Sequence, residues 1–289
     1  MSDIWRDIGK GFGIEKVKRW KNAKSYQQWY QSLNDYAMPT LATIRVDKIS
    51  TNDILNCLEP IWYDKPETAN RVRARIGAVM DWCRVRGYCS GVNPASWRGN
   101  LDTVLPSRYK IQQPKHHEAP TIQELKTVVE YCMAHPSPVS GALLMVIATA
   151  TRITEVRGAL AEEIIHGIWN IPADRMKAKK PHRVPLSTLA DVALSMAKDK
   201  GLLFTHQGKQ LGSDSPRVKL TMIVGRKVTV HGIRSTFRDW CAREKVPDAV
   251  AEKCLAHAYG DKTVQAYFRD DLLDHRKSVM QKWADLMLK

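Results

Sequence analysis

No run in the 289 residues is apolar for long enough to cross a membrane, and the opening MSDIWRDIGKGFG lacks the apolar core of a secretion signal. The expected location is therefore the cytoplasm. Cysteine is scarce and unpaired. Cys57, Cys83, Cys89, Cys132, Cys241 and Cys254 form no CxxC pair and meet no histidine at zinc-ligand spacing, which excludes a zinc ribbon and leaves buried thiols of a reducing compartment. Internal repeats and low-complexity tracts are missing too, so neither a solenoid nor a disordered chain is expected. Nor do carboxylates gather. Asp270 and Asp271 are neighbours and Glu155 is better explained as an arginine's partner, so two catalytic Mg²⁺ ions would find no obvious cluster, and no cofactor is expected.

What the chain has in excess is positive charge, a formal +15. Residues 1–113 carry +7 and residues 114–289 carry +8, so the excess is spread rather than confined to a tail. Such a surface is either a solvated basic skin or the grip of a nucleic-acid binder, whose affinity comes from counterions released at each neutralised phosphate.

The first hundred residues read as helices joined by short polar turns. Ser50 to Asp53 resembles a capping box opening DILNCLEPIW, and Thr68 or Asn70 opens a longer helix to Gly87 with Val72, Ile76, Val79 and Cys83 on one stripe. Arg71, Arg73, Arg75, Arg84 and Arg86 occupy its other faces, as a solvated basic face or as contacts to a DNA backbone. Between Asn93 and Pro120 the periodicity fails among Pro94, Pro106, Pro114 and Pro120, which reads as a linker. A second capping box, Thr121 to Glu124, restarts the helical pattern, and GALLMVIATAT follows at 141–151. IWNIPA (168–173) and RMKAKKPHRVPLS (175–187) have strand character, and a basic turn between short extended runs points to a hairpin. From Val230 onward the chain reads as helical again.

Three distant segments place polar residues where a packed core would not want them. Arg152 follows directly on an apolar run with Glu155 one turn later; a salt bridge between them explains both, and so does an arginine facing a ligand. His231 and Arg234 in VHGIRSTFRDW are spaced i, i+3 on one helix face. His257 precedes Tyr267 by ten positions in LAHAYGDKTVQAYF, where each, taken alone, would serve as an ordinary structural residue.

Taken together, the Arg of TATRITEVRGA, the Lys of RMKAKKPHRVPLS, HGIR, LAH and the Tyr of QAYF resemble the tyrosine recombinases, nearest to integrases of satellite phages and genomic islands. The resemblance spans roughly residues 14–285, with the motifs in family order. It implies a mainly α protein: an N-terminal extension (1–13), a helical SAM-like core-binding domain (14–105), a linker (106–120) and an α+β catalytic domain with a small antiparallel sheet (121–289), closing as a C-shaped clamp on DNA. The His257 to Tyr267 gap is one residue longer than in the best-known members, and the arm-binding domain that such integrases usually carry at the N-terminus is not expected here.

Carried over by position, the resemblance makes Arg152 and Arg234 a clamp on the scissile phosphate and Lys177 the general acid, with Lys179 and Lys180 as competitors. It makes His231 an acid/base group, His257 a second phosphate-bonding group and Tyr267 the nucleophile. The implied partners are double-stranded DNA at attachment core sites, three further copies of the chain in a tetramer on DNA, and accessory directionality or DNA-bending proteins. No membrane is expected, and the protein should associate with the nucleoid. A metal-dependent nuclease, a type IB topoisomerase and a decayed integrase that still binds DNA are the competing readings. The C-terminal stripe of Leu272, Val279, Met280, Trp283 and Leu286 either packs on its own domain or docks on a neighbouring protomer.

Overall fold

The computed structural model describes residues 23–111, 118–257, 259–260 and 270–289. The chain divides into two compact units, one up to Lys115 and one from His116. Both the predicted extension at 1–13 and Tyr267 lie outside the described residues.

The first unit holds α1 (Ala23–Tyr36), α2 (Met38–Leu41), α3 (Thr51–Trp62), α4 (Pro66–Val85) and α5 (Arg108–Ile111). α3 opens on the capping box read from the sequence: Ser50 Oγ accepts from the Asp53 amide, and the Asp53 carboxylate accepts from the Ser50 amide at 2.9 Å. α4 starts earlier than Thr68, at Pro66, because a proline in the first turn has its φ preset and forfeits only an N–H that has no intrahelical partner there. Its stripe of Val72, Ile76, Val79 and Cys83 is fully buried, and the core it joins includes Ile54, Leu58 and Trp62 of α3.

The proline-punctuated stretch from Asn93 is not all linker. Ala95, Leu101 and Leu105 are buried in the first unit's core, the Asn93 amide donates to the Gly77 carbonyl at 2.8 Å, and Trp62 Nε1 donates to the Pro106 carbonyl at 3.0 Å. Irregular turns can bury apolar residues without helical or strand period, so the loss of periodicity there is not a loss of packing. α5, inside the predicted linker, is tied back by the Arg108–Glu67 ion pair.

The second unit is built around α7 (Pro138–Thr149), apolar and buried over Ser140 to Thr149, which marks a central helix rather than an amphipathic surface one. α6 (Ile122–Ala134) precedes it from the Thr121/Glu124 capping box, and α8 (Ile153–Arg157) follows it. Then come β1 (Ile164–Ile165), β2 (Ile168–Ile171) and β3 (His182–Pro185), α9 (Thr188–Leu194), and the two-residue strands β4 (Thr205–His206) and β5 (Lys209–Gln210). Next are α10 (Ser215–Val224), α11 (Gly232–Arg243), α12 (Asp248–Cys254) and α13 (Leu273–Leu288). The fold is mainly helical with small antiparallel sheets, in the order β1-β2-β3 and β4-β5.

The hairpin differs from the sequence reading in its partners. β3 pairs with β2, Trp169 opposite Val184 and Ile171 opposite His182, while residues 175–180 form the turn between them. One buried face requires Trp169, Ile171, His182 and Val184 to share a side, and the basic residues then fall in the turn. At the C-terminus the apolar stripe of α13 packs on its own unit: Val279, Met280, Trp283 and Met287 are buried, and Trp283 Nε1 donates to the Ile147 carbonyl of α7 at 2.7 Å.

Candidate active site

Arg152 owes its position to the end of α7. Ala150 adopts a left-handed conformation (φ 49°), which breaks the helix and leaves Arg152 at the N-cap of α8. One carboxylate serves both ends of this residue: Glu155 accepts from the Arg152 backbone amide at 2.8 Å and from Nη1 at 3.0 Å. Glu155 is buried while Arg152 is about one-fifth exposed, so the carboxylate holds Nη1 of a guanidinium that is partly open to solvent.

Arg234 lies in the first turn of α11, which begins after His231. A glycine is required at 232, because a Cβ there would come within 2.7 Å of the Ala119 Cα and 2.9 Å of the Glu118 carbonyl oxygen. His231 stands at the N-cap with its side chain exposed, and Arg234, three residues on, is buried. Arg234 donates through Nη1 to the Ala150 carbonyl and through Nη2 to the Leu255 carbonyl at 2.7 Å, with Nη2 also 2.8 Å from His257 Nε2. Its Nε is buried and has no hydrogen-bond partner among the described residues. No carboxylate pairs with Arg234 among the described residues. Burial first, and the positive charge of Arg152 next, pull its pKa down to about 10, leaving it charged near neutrality.

His257 is placed by the way α12 ends. Ala256 is left-handed (φ 50°), its amide donates to the Lys253 carbonyl, and the His257 amide donates to the Glu252 carbonyl at 2.9 Å. That is a Schellman motif with alanine where glycine is usual, and it wraps residue 257 back over residue 252. The Glu252 carboxylate consequently lies 2.8 Å from His257 Nδ1. Arg238, one turn beyond Arg234 on α11, donates Nε to the other Glu252 oxygen at 2.8 Å and Nη2 to Asp248 at 2.5 Å.

Lys177 is exposed in the β2–β3 turn and forms no hydrogen bond or ion pair among the described residues. Its neighbour Arg175 roots this turn beside the site by donating to the Glu155 carbonyl and pairing with Glu163. Lys179 donates to the Asp174 carbonyl at 2.7 Å, and Lys180 is exposed. After Tyr267, which lies outside the described residues, the chain is tied to β3 by the Arg183–Asp271 pair at 2.8 Å.

Sequence reading passed over two buried groups beside this cluster. His182 on β3 is buried with Nε2 unpartnered among the described residues; burial, and then the charge of Arg276, push its pKa to about 3, and Arg234 and Arg152 act in the same direction. Arg276 of α13 is buried and donates to the carbonyls of Arg183 and Asp271. An arginine inside the apolar stripe Leu272, Arg276, Val279, Met280 was the available signal.

The arginines proposed for DNA contact in the first unit make bonds within that unit. Arg73 donates to the Ala95 carbonyl at 3.1 Å and lies over the Trp97 ring, Arg75 donates to the Gln28 carbonyl at 2.9 Å, and Arg71 pairs with Glu67. No group of three or more metal-ligating side chains occurs among the described residues, and no helix among them is long and apolar enough to cross a membrane.

Comparison with known proteins matches residues 8–100 to the phage integrase central domain and residues 120–272 to the phage integrase family. Prophage integrase IntA of Escherichia coli (strain K12) is 26% identical over 94% of this chain and 68% of its own length; prophage integrase IntZ of the same strain is 27% identical over 99% and 71%. A lambda integrase fragment solved as a dimer on a COC′ core site has the same fold, with a TM-score of 0.72 at 14% identity over 89% of this chain and 98% of that one. A lambda integrase tetramer on a Holliday junction matches with a TM-score of 0.73 at 12% identity, over 90% of this chain and 79% of that one. With its motifs carried on that fold and a family model matching more than half its length, the chain belongs to the phage integrase family of tyrosine recombinases.

Proposed function

We propose that the protein breaks and rejoins DNA at specific attachment sites through a 3′-phosphotyrosyl link to Tyr267, in the integration or excision of a prophage or genomic island. The observation that carries this reading is Arg234: a buried guanidinium near the positive charge of Arg152 that, among the described residues, has no carboxylate of its own and one N–H unpartnered. Such a cluster is unfavourable by itself and is suited to an anion that gains charge in a transition state.

In the proposed reaction the phenol oxygen of Tyr267 attacks the scissile phosphorus and His231 accepts its proton. Arg152 and Arg234 stabilise the pentacoordinate phosphorane, and the 5′ oxygen leaves with a proton from Lys177. The phosphodiester's energy is kept in the new bond, so rejoining by a 5′ hydroxyl needs no nucleotide. Residues 14–105 serve as the core-binding domain and residues 121–289 as the catalytic domain. A tetramer of the chain is the unit that exchanges strands, with accessory proteins setting direction. A charge of +15 favours association with the nucleoid.

The test is a nicked half-site DNA that traps the covalent complex, run with EDTA and resolved on a denaturing gel. The expected adduct maps by mass spectrometry to Tyr267; Tyr267→Phe abolishes it while DNA binding persists, and Arg234→Ala slows its formation by about 10² to 10³. An adduct on another residue, or cleavage that needs Mg²⁺ and leaves no adduct, overturns the reading.

A further inference from the structure

We infer that Glu252 is a positioning residue for strand cleavage, acting through His257 on the plane of the Arg234 guanidinium; the inference deepens the phosphate-clamp reading given above and depends on it. His257 is held between two groups of opposite hydrogen-bonding character. An ionised carboxylate only accepts and a guanidinium only donates. With Glu252 2.8 Å from Nδ1 and Arg234 2.8 Å from Nε2, the one arrangement that satisfies both contacts is an imidazole protonated on Nδ1 with its lone pair on Nε2. The opposite neutral tautomer would set a lone pair against the carboxylate and an N–H against the guanidinium. With both nitrogens so engaged, His257 has no N–H for a phosphate, and in this scheme it holds Arg234 in place of the phosphate-bonding role that the resemblance implies.

The consequence runs outward to Arg234. Its Nη2 is fixed from two directions, by the Leu255 carbonyl and by His257 Nε2, both delivered by the end of α12. Glu252 is itself fixed, since its second oxygen accepts from Arg238 Nε at 2.8 Å and its backbone carbonyl accepts from the His257 amide. Arg234 and Arg238 are four residues apart on α11, so a single helix face contributes both ends of the chain Arg238–Glu252–His257–Arg234. The guanidinium plane is thereby set before DNA arrives, which is what a charge clamp requires if it is not to reorganise during reaction. Glu252 touches neither the phosphate nor the nucleophile in this scheme.

Three measurements on the full-length chain test this. Long-range ¹H–¹⁵N spectra of the wild type should show His257 as the Nδ1–H tautomer; a proton on Nε2 alone overturns the inference with no variant needed. Single-turnover cleavage of the trapped half-site by Glu252→Gln should fall about 10- to 100-fold at saturating DNA, as for loss of a carboxylate that orients a metal-bound histidine, with the DNA dissociation constant unchanged. A wild-type rate overturns the inference. In a double-mutant cycle, Glu252→Gln should cost little more once His257→Ala is present, whereas full additivity means that Glu252 does not act through His257. If the wild type itself forms no covalent complex, the proposed function fails, while the tautomer measurement still judges the positioning chain.

Discussion

The two units bury different things. In the first, the side chains of the core are apolar throughout: Ile54, Leu58, Val72, Ile76 and Val79 close on one another, and its arginines stay at the rim. In the second, Glu155, His182, Arg234 and Arg276 are all buried within the same fold as the apolar helix α7. Burying such groups costs stability unless each is satisfied, and His182, Arg234 and Arg276 each keep a buried nitrogen without a partner among the described residues. The first unit can be read as a scaffold with a charged rim, the second as a site with a scaffold around it.

Acid should separate the two most strongly. His182 is held neutral in the folded state, its pKa moved from 6.5 to about 3. The unfolded chain therefore takes up a proton that the folded chain refuses; stability is complete above pH 6.5 and is lost as pH falls towards 3, by up to about 1.4 kcal/mol per pH unit. All nine histidines lie at residue 116 or beyond, so the first unit lacks this response. Between pH 6.5 and 5, above the range where Glu124, held at about 2 by Arg226, gives up its own contribution, hydrogen exchange should show α7 amides losing protection before α4 amides. Equal loss in both units, or an unchanged profile in His182→Gln, would break the comparison.

A matched pair of glycine substitutions sharpens it. Gly232→Ala drives a Cβ against the backbone of residues 118 and 119 at 2.7–2.9 Å and should destabilise the second unit by about 1–3 kcal/mol. Gly77→Ala, in the middle of α4, meets nothing nearer than 3.7 Å and should stabilise the first unit by about 0.5–1 kcal/mol, since alanine has less chain entropy to lose on entering a helix. Denaturant melts followed separately for each unit decide this; opposite signs are expected, and the same sign for both refutes the packing argument at 232.

The smallest effect concerns Arg73. Arg73→Gln should cost the first unit about 1 kcal/mol through its lost bond to the Ala95 carbonyl, and leave the salt dependence of DNA binding unaltered. A slope shallower by nearly one, measured as log affinity against log salt, would instead make Arg73 a phosphate contact.

Much of the scaffold was legible because local chemistry specified it. Both capping boxes open helices where Ser50 and Thr121 stand, the stripe of α4 is buried, and the apolar run at 141–151 lies within or directly after a central helix, since a cap or a helical stripe involves residues only three or four apart. Irregular structure was less legible. Ala95, Leu101 and Leu105 bury themselves through turns that have no period, and the hairpin's basic turn is legible while its first strand lies earlier than residue 175, at Ile168–Ile171.

By itself, then, the sequence determined the family, the helical character of both units and the identity of Arg152, Arg234 and His257 as candidate site residues, because motif residues recur in fixed order whatever they touch. Only the tertiary structure decided what those residues are joined to. Glu252 reaches His257 because Ala256 takes a left-handed turn, Arg234 meets the Ala150 carbonyl because α7 ends in another, and His182 and Arg276 become buried beside them because β3 and α13 pack there. The Arg234 bond to the Ala150 carbonyl spans 84 positions of chain, and the Arg276 bond to the Arg183 carbonyl spans 93, separations that no local pattern encodes.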